Sequence, residues 1–300
     1  MAGLVDWRVI ESMTGWAIHK SSEEADRWDD GAAEWGRRTE FEEAFTQAQI
    51  AALDILPTDA VLDACCGTGR LTIPLARRAR SVTGLDAGQN MLDYCAGYAR
   101  REGLDNVRTI LVSNWHDAQP GIDFPVHDVV LACISPASSD IIKLSQCARR
   151  QCYSLSFNTP YKFMNVLASL FSGVNDRWPS DSSERLEDMQ LSKYDTCRLF
   201  GVNVPFNILF DAGASPTIQY VTGGWSYCGS TREDVYEYLA GFGEVPPSKI
   251  DLFRSNVDKH LEYNEAEGYV YRTPDAQMYV LGWNPSDVDV ERAEQTWAKY

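Results

Sequence analysis

Residues 61–70 read V-L-D-A-C-C-G-T-G-R, a short apolar run that ends in Asp63 and passes straight into a glycine-rich turn. Glycines at 67 and 69 let the backbone turn tightly and approach a ligand closely. The helix predicted to follow presents unpaired N–H groups at its start. A turn of this kind at the carboxyl end of a strand is where open α/β sheets bind ligands.

Downstream, short β-rich runs alternate with longer amphipathic ones. Residues 60–64, 81–86, 107–112, 127–133 and 152–157 read as strands. Residues 90–101 (NMLDYCAGYARR) read as a helix with Met91, Leu92, Cys95 and Tyr98 on its apolar side. Strands apolar on both faces and separated by helices imply a parallel sheet covered on both sides. The fold class expected is therefore α/β, doubly wound, with a mostly parallel sheet of the seven-stranded type.

Three regions are expected. Residues 1–56 form an N-terminal helical arm, ended by the breaker Pro57-Thr58-Asp59. Residues 57–171 form the ligand-binding core. Residues 172–300 hold a polar insertion, a hairpin (204–210 and 217–221, joined by DAGASP), a helix with a capping box at Thr231 and Asp234, and a last strand at 277–283. This region is expected to complete the sheet and cover the substrate site.

The chain has 300 residues and a formal charge of −16, from 43 acids against 27 bases. A surface of that sign repels phosphate backbones, so nucleic acid and anionic membranes are not the partners expected. No apolar run approaches the ~18 residues of a membrane span, and the first residues resemble neither a secretory nor a transit signal. Eight cysteines without a C-x-x-C pair, and four scattered histidines, imply reduced thiols, a cytoplasmic location and no metal site.

Two ligands compete for the glycine turn: a dinucleotide and S-adenosylmethionine. The third glycine of the dinucleotide fingerprint is replaced by Thr72. Asp63 would also set a carboxylate beside a pyrophosphate, an unfavourable pairing of like charges. S-adenosylmethionine offers an ammonium and a sulfonium, both positive. Asp86, ending the next run, suits the ribose of either ligand.

The ordered set V-L-D-A-C-C-G-T-G-R, G-L-D-A-G-Q-N-M-L, I-L-V-S-N-W and H-D-V-V-L-A-C-I-S resembles the successive motifs of class I S-adenosylmethionine-dependent methyltransferases. The upstream W-D-D-G-A-A-E-W resembles the aromatic N-terminal arm of small-molecule members. The likeness covers roughly residues 25–160. It implies that Asp63, Gly67 and Gly69, with Ala64 and Cys65 in the same turn, surround the methionine part of S-adenosyl-L-methionine. Asp86 and Ala87 would meet the ribose, Met91 a face of the adenine, Asn114 and Trp115 its edge. Cys133 and Ile134 match the strand end beneath the sulfonium. The family often has Asp where Asn114 stands; an Asn carbonyl accepts the same bond.

Plainer readings stand beside these. Met91 serves equally as a core residue, Trp115 as a domain-edge anchor, and Trp28 and Trp35, one heptad apart, as the buried face of the arm. Cys65 and Cys66 read as small packing residues, and His116 as solvent-facing.

In-line methyl transfer depends mainly on alignment, so no catalytic dyad is required and none is evident. Ser135, Asn158 and Tyr161 are candidates to position the acceptor. Trp28, Trp35, Tyr161 and Trp225 are candidate substrate walls, with Tyr227 beside them; the aromatic tail serves equally as a secondary core. The expected partner is a small-molecule methyl acceptor. The alternatives are a protein or RNA methyltransferase, a binding protein without turnover, and a NAD(P)-dependent enzyme. Oligomeric state and acceptor identity do not follow.

Overall fold

The computed structural model describes residue 7 and residues 28–158, 163–178 and 201–291. Two sheets organise them. The larger has seven strands: β1 (Ala60–Ala64), β2 (Ser81–Asp86), β3 (Val107–Leu111), β4 (His127–Cys133), β5 (Ala148–Phe157), β6 (Thr217–Gly223) and β10 (Ala276–Trp283). Their order is β3-β2-β1-β4-β5-β10-β6, parallel except for β10, which runs antiparallel to both neighbours. This is the doubly wound, mostly parallel seven-stranded sheet that the alternating runs imply.

Why these residues form the sheet follows from where their side chains go. Along β1 and β4 successive residues enter opposite layers: Leu62 and Val130 join one buried cluster, Val61, Val129 and Leu131 another. Both faces are covered, so the strands read as unbroken apolar runs. Each fully buried Val or Leu contributes about 1.5–3 kcal/mol.

The covering helices are short. The arm supplies α1 (Ala32–Phe41) and α2 (Glu43–Ala51); α3 (Thr72–Ala76) follows β1 and α4 (Gln89–Arg101) follows β2. The N-terminus of α4 is capped from the arm, Asn90 N–H donating to Asp29 Oδ1 at 2.7 Å. Past β4 lie α5 (Pro136–Ser139), α6 (Ile141–Cys147) and, after β5, α7 (Phe163–Phe171).

Part of the region after residue 200 departs from expectation. The stretch 204–210 is no strand of a hairpin; it lies within α8 (Asn203–Asp211), burying Val204, Ile208 and Leu209 at helical spacing. Pro205 sits in the first turn, where its missing N–H leaves no bond unmade. The expected partner, β6, pairs with β10 instead.

A second sheet, β7-β9-β8 (β7 Ser226–Gly229, β8 Leu261–Asn264, β9 Gly268–Arg272), was not foreseen. It packs with α9 (Arg232–Ala240), whose capping box joins Thr231 and Asp234, and with α10 (Ile250–Asp258). Among the described residues no helix is long and apolar enough to cross a membrane, and no group of His, Cys, Asp and Glu is placed to hold a metal.

Candidate functional site

The carboxyl ends of β1, β2 and β4 open into one cavity, roofed by the arm, whose empty space with its mouth is about 1250 Å³. The turn after β1 contributes Asp63, Cys65 and Gly67, and the end of β2 contributes Asp86 and Ala87. Met91 on α4, Asn114 and Trp115 after β3, and Cys133 and Ser135 around the end of β4 complete the floor. Trp28 and Trp35 come from the arm, ring centroids 5.7 Å apart. Twelve residues singled out from sequence thus share one cavity.

The others take different places. Ala64 is fully buried and does not line the cavity. Gly69 shapes the turn: its φ is +90°, and a Cβ there would meet Cys95 Sγ at 2.6 Å. Asn158 is turned away to Gln277. Trp225 is no wall: it is fully buried behind the cavity, Nε1 donating to Glu42 at 3.0 Å among Phe45, Phe157 and Phe163. Tyr227 stacks on Tyr238 at 3.6 Å, so the aromatic tail builds a second core. Tyr161 lies outside the described residues.

The turn after β3 also differs from expectation. Asn114 closes its own loop, Oδ1 accepting from Asp117 N–H and Nδ2 donating to Asp117 Oδ2. His116 is not solvent-facing. It lines the cavity 3.9 Å from Asp140, because Lys143 grips the Trp115 and His116 carbonyls and folds the loop inward.

Two carboxylates dominate the electrostatics. Burial pushes Asp63 from an ordinary 3.8 to about 6, opposed by the Thr72 hydroxyl at 2.7 Å and the Arg70 charge. Thr72, which spoils the dinucleotide fingerprint, is thus the donor that orients Asp63. Asp86 is also raised by burial, although it accepts Gly67 N–H at 2.8 Å and Gly88 N–H at 3.0 Å. The Cys65 and Cys133 thiols are pushed up by burial to about 12 and 11, so both stay protonated and neither is a nucleophile near neutral pH.

Strain concentrates here. Among the described residues only two non-glycines have positive φ, Cys65 at 58° and Ile134 at 46°, and both line the cavity. A β-branched residue in that region is a true outlier, and such strain gathers at ligand sites.

Sequence reading missed a charged network between arm and turn. Glu42, on the α1–α2 junction, accepts from Arg38 Nε and from Trp225 Nε1, and meets Arg70 Nε at 3.3 Å. Burial alone would raise its carboxyl; Arg38, Arg70 and the Trp225 N–H hold it below the ordinary range. Arg70 reaches on to Thr46, Gln49 and Cys133 Sγ, the last at 3.2 Å. Arg70 closes the quoted turn, yet nothing in the chain order says that its partners lie on the arm.

Residues 61–149 match the model of a family described as a methyltransferase domain. A protein of Haemophilus influenzae described as uncharacterized is 35% identical over 101 residues, 33% of this chain and 35% of that protein. The 23S rRNA (uracil(1939)-C(5))-methyltransferase RlmD of Pectobacterium carotovorum is 30% identical over 158 residues, 49% of this chain and 34% of that protein. The matches span about a third of the length of these two curated relatives. Among solved structures, magnesium protoporphyrin IX methyltransferase (ChlM) from Synechocystis PCC 6803, with bound SAH, is 14% identical. It covers 87% of this chain and 98% of that one, with a TM-score of 0.46. Residues 61–149, which hold the glycine turn after β1 and the acid that ends β2, thus match a methyltransferase domain.

Proposed function

We propose that the protein binds S-adenosyl-L-methionine in this cavity and transfers its methyl group to a small-molecule acceptor. The observation that carries this reading is the pair of buried carboxylates, Asp63 and Asp86, at the ends of adjacent strands with a positive-φ glycine between them. Gly67 leaves open space where a Cβ would stand, so ligand atoms have room against the backbone. The residues present therefore fit a cationic nucleoside.

Asp63 would face the positive amino-acid end and Asp86 the ribose hydroxyls, with Met91 and Trp115 beside the base. Bound, the cofactor supplies an electrophilic methyl on a sulfonium. The chain's own residues hold the acceptor in line, and the arm, with Trp28 and Trp35, excludes water from the reacting end.

A second reading, an RNA acceptor, is favoured by the relative named as an rRNA methyltransferase. Against it stands the charge of −16. Calorimetry with S-adenosylmethionine, S-adenosylhomocysteine and NAD tests the cofactor. Binding of NAD without S-adenosylhomocysteine would sink the reading. Methyl transfer from labelled cofactor to ribosomal RNA, and not to a small-metabolite extract, would select the second.

A further inference from the structure

The proposed methyl acceptor has no chemistry assigned to it, and the network around Glu42 constrains that chemistry. The Arg38 guanidinium lies 4.4 Å from the Trp35 ring centroid and 4.3 Å from that of Phe163. Its Nε is spent on Glu42. The side chain is only 12% exposed, yet it lines the cavity. Its two Nη groups have no hydrogen-bond partner among the described residues. A guanidinium stacked between rings and anchored through Nε keeps its outer edge, a two-pronged donor, ready for an oxyanion.

Charge bookkeeping agrees. Two guanidiniums, Arg38 and Arg70, share the single carboxylate of Glu42, a local surplus of one positive charge in a protein of net −16. Arg70 spends its donors on Glu42, Thr46, Gln49 and Cys133. The surplus therefore presents itself at Arg38. Asp63 does not cancel it on the functional reading above, because it is matched to the cofactor's cation. A buried surplus charge beside a cavity favours a ligand of opposite sign.

We propose that the acceptor carries a carboxylate, bound by the Nη edge of Arg38, with its apolar body against Trp28 and Trp35. This rests on the methyltransferase reading and narrows it to a single anionic group on a partly apolar small molecule. Arg38 is then a specificity-determining residue.

The test uses the full chain saturated with S-adenosylhomocysteine. Benzoate, phenylacetate and indole-3-acetate are each paired with the matching amide, and binding is followed by thermal shift and by quenching of tryptophan fluorescence. At least one acid should bind ten or more times tighter than its amide, about 1.4 kcal/mol. That preference should vanish in Arg38→Gln and survive in part in Arg38→Lys, which keeps the charge without the fork. S-adenosylhomocysteine affinity should stay within about twofold in both variants, which also reports that they fold. Equal binding of acids and amides, no binding of either, or an acid preference that outlasts Arg38→Gln overturns the proposal. Loss of S-adenosylhomocysteine binding by the unaltered protein is a different failure, that of the cofactor reading.

Discussion

Replacing Asp63 by Asn separates what the site costs the fold from what it does for a ligand. Burial raises the Asp63 carboxyl from 3.8 to about 6. At about 1.4 kcal/mol per tenfold change in proton affinity, holding it ionised in the ligand-free protein costs about 3 kcal/mol relative to the unfolded chain. Asn fills the same volume, and its Oδ1 can keep the hydrogen bond from Thr72 Oγ1. The variant should therefore be more stable than the parent, by about 1–3 kcal/mol at pH 7.5, since loss of attraction to Arg70 takes back part of the gain.

The sign with pH follows from the raised value. Between about 4 and 6 the folded parent holds a proton that the unfolded chain has released. The parent thus loses stability as pH rises through that window and levels off above it. The gap between variant and parent should open over the same window. Urea unfolding of both ligand-free proteins at half-unit steps from pH 4.5 to 7.5 measures it. S-adenosylhomocysteine affinity should move the other way: rising through pH 6 in the parent, and lower in Asp63→Asn by tenfold or more at pH 7.5. A variant less stable than the parent by a constant amount across the range would refute the buried-charge argument. Unchanged ligand affinity would refute the assignment of Asp63 to the ligand's cation.

Asp86→Ala leaves Gly67 N–H and Gly88 N–H without their acceptor and should weaken S-adenosylhomocysteine at least tenfold by calorimetry; an unchanged Kd would remove the ribose contact. Gly69→Ala combines a strained φ of +90° with a 2.6 Å approach to Cys95 Sγ, and should cost about 2 kcal/mol or more in urea unfolding. Gly67→Ala meets nothing within 4 Å and should cost only the strain, about 1–2 kcal/mol; equal losses at the two positions would contradict this reading of the turn. Trp225→Phe strips Glu42 of its neutral donor and should lower stability by about 1–3 kcal/mol while leaving the acceptor KM within twofold. A large KM effect without a stability loss would return Trp225 to the substrate wall.

How far the molecule was legible in its sequence depended on how far apart in the chain the interacting groups lie. Strands β1, β2 and β4 were read to the residue because both faces are buried, and burial on both faces leaves a local apolar signature. Residues 204–210 carry the same signature for another reason. V-P-F-N-I-L-F is β-branched and aromatic, and only the neighbours met by Val204, Ile208 and Leu209 decide that it is a helix. Positive φ at Cys65 and Ile134 was invisible, since neither residue type advertises it.

The same rule divides the site into a cofactor half and a proposed acceptor half. The cofactor half is written in contiguous segments: Asp63 with Thr72, Gly67 with Asp86, each pair within twenty positions. The proposed acceptor half closes across much longer spans, 63 positions from Arg70 to Cys133 and 183 from Glu42 to Trp225. No motif can display such contacts, which is why the cofactor was readable and the acceptor was not. The physical consequence is a division of labour between scaffold and arm. Replacing Arg38, Trp35 or Trp28 alters the roof without touching the strand-end carboxylates or the glycine turn. Exchanging Trp28, Trp35 and Arg38 together for other residues, with Asp29 and Glu42 left in place, should therefore change which acceptors are methylated while S-adenosylhomocysteine affinity stays within about threefold. A parallel collapse of both would mean that the arm is part of the cofactor site and that the two halves are one.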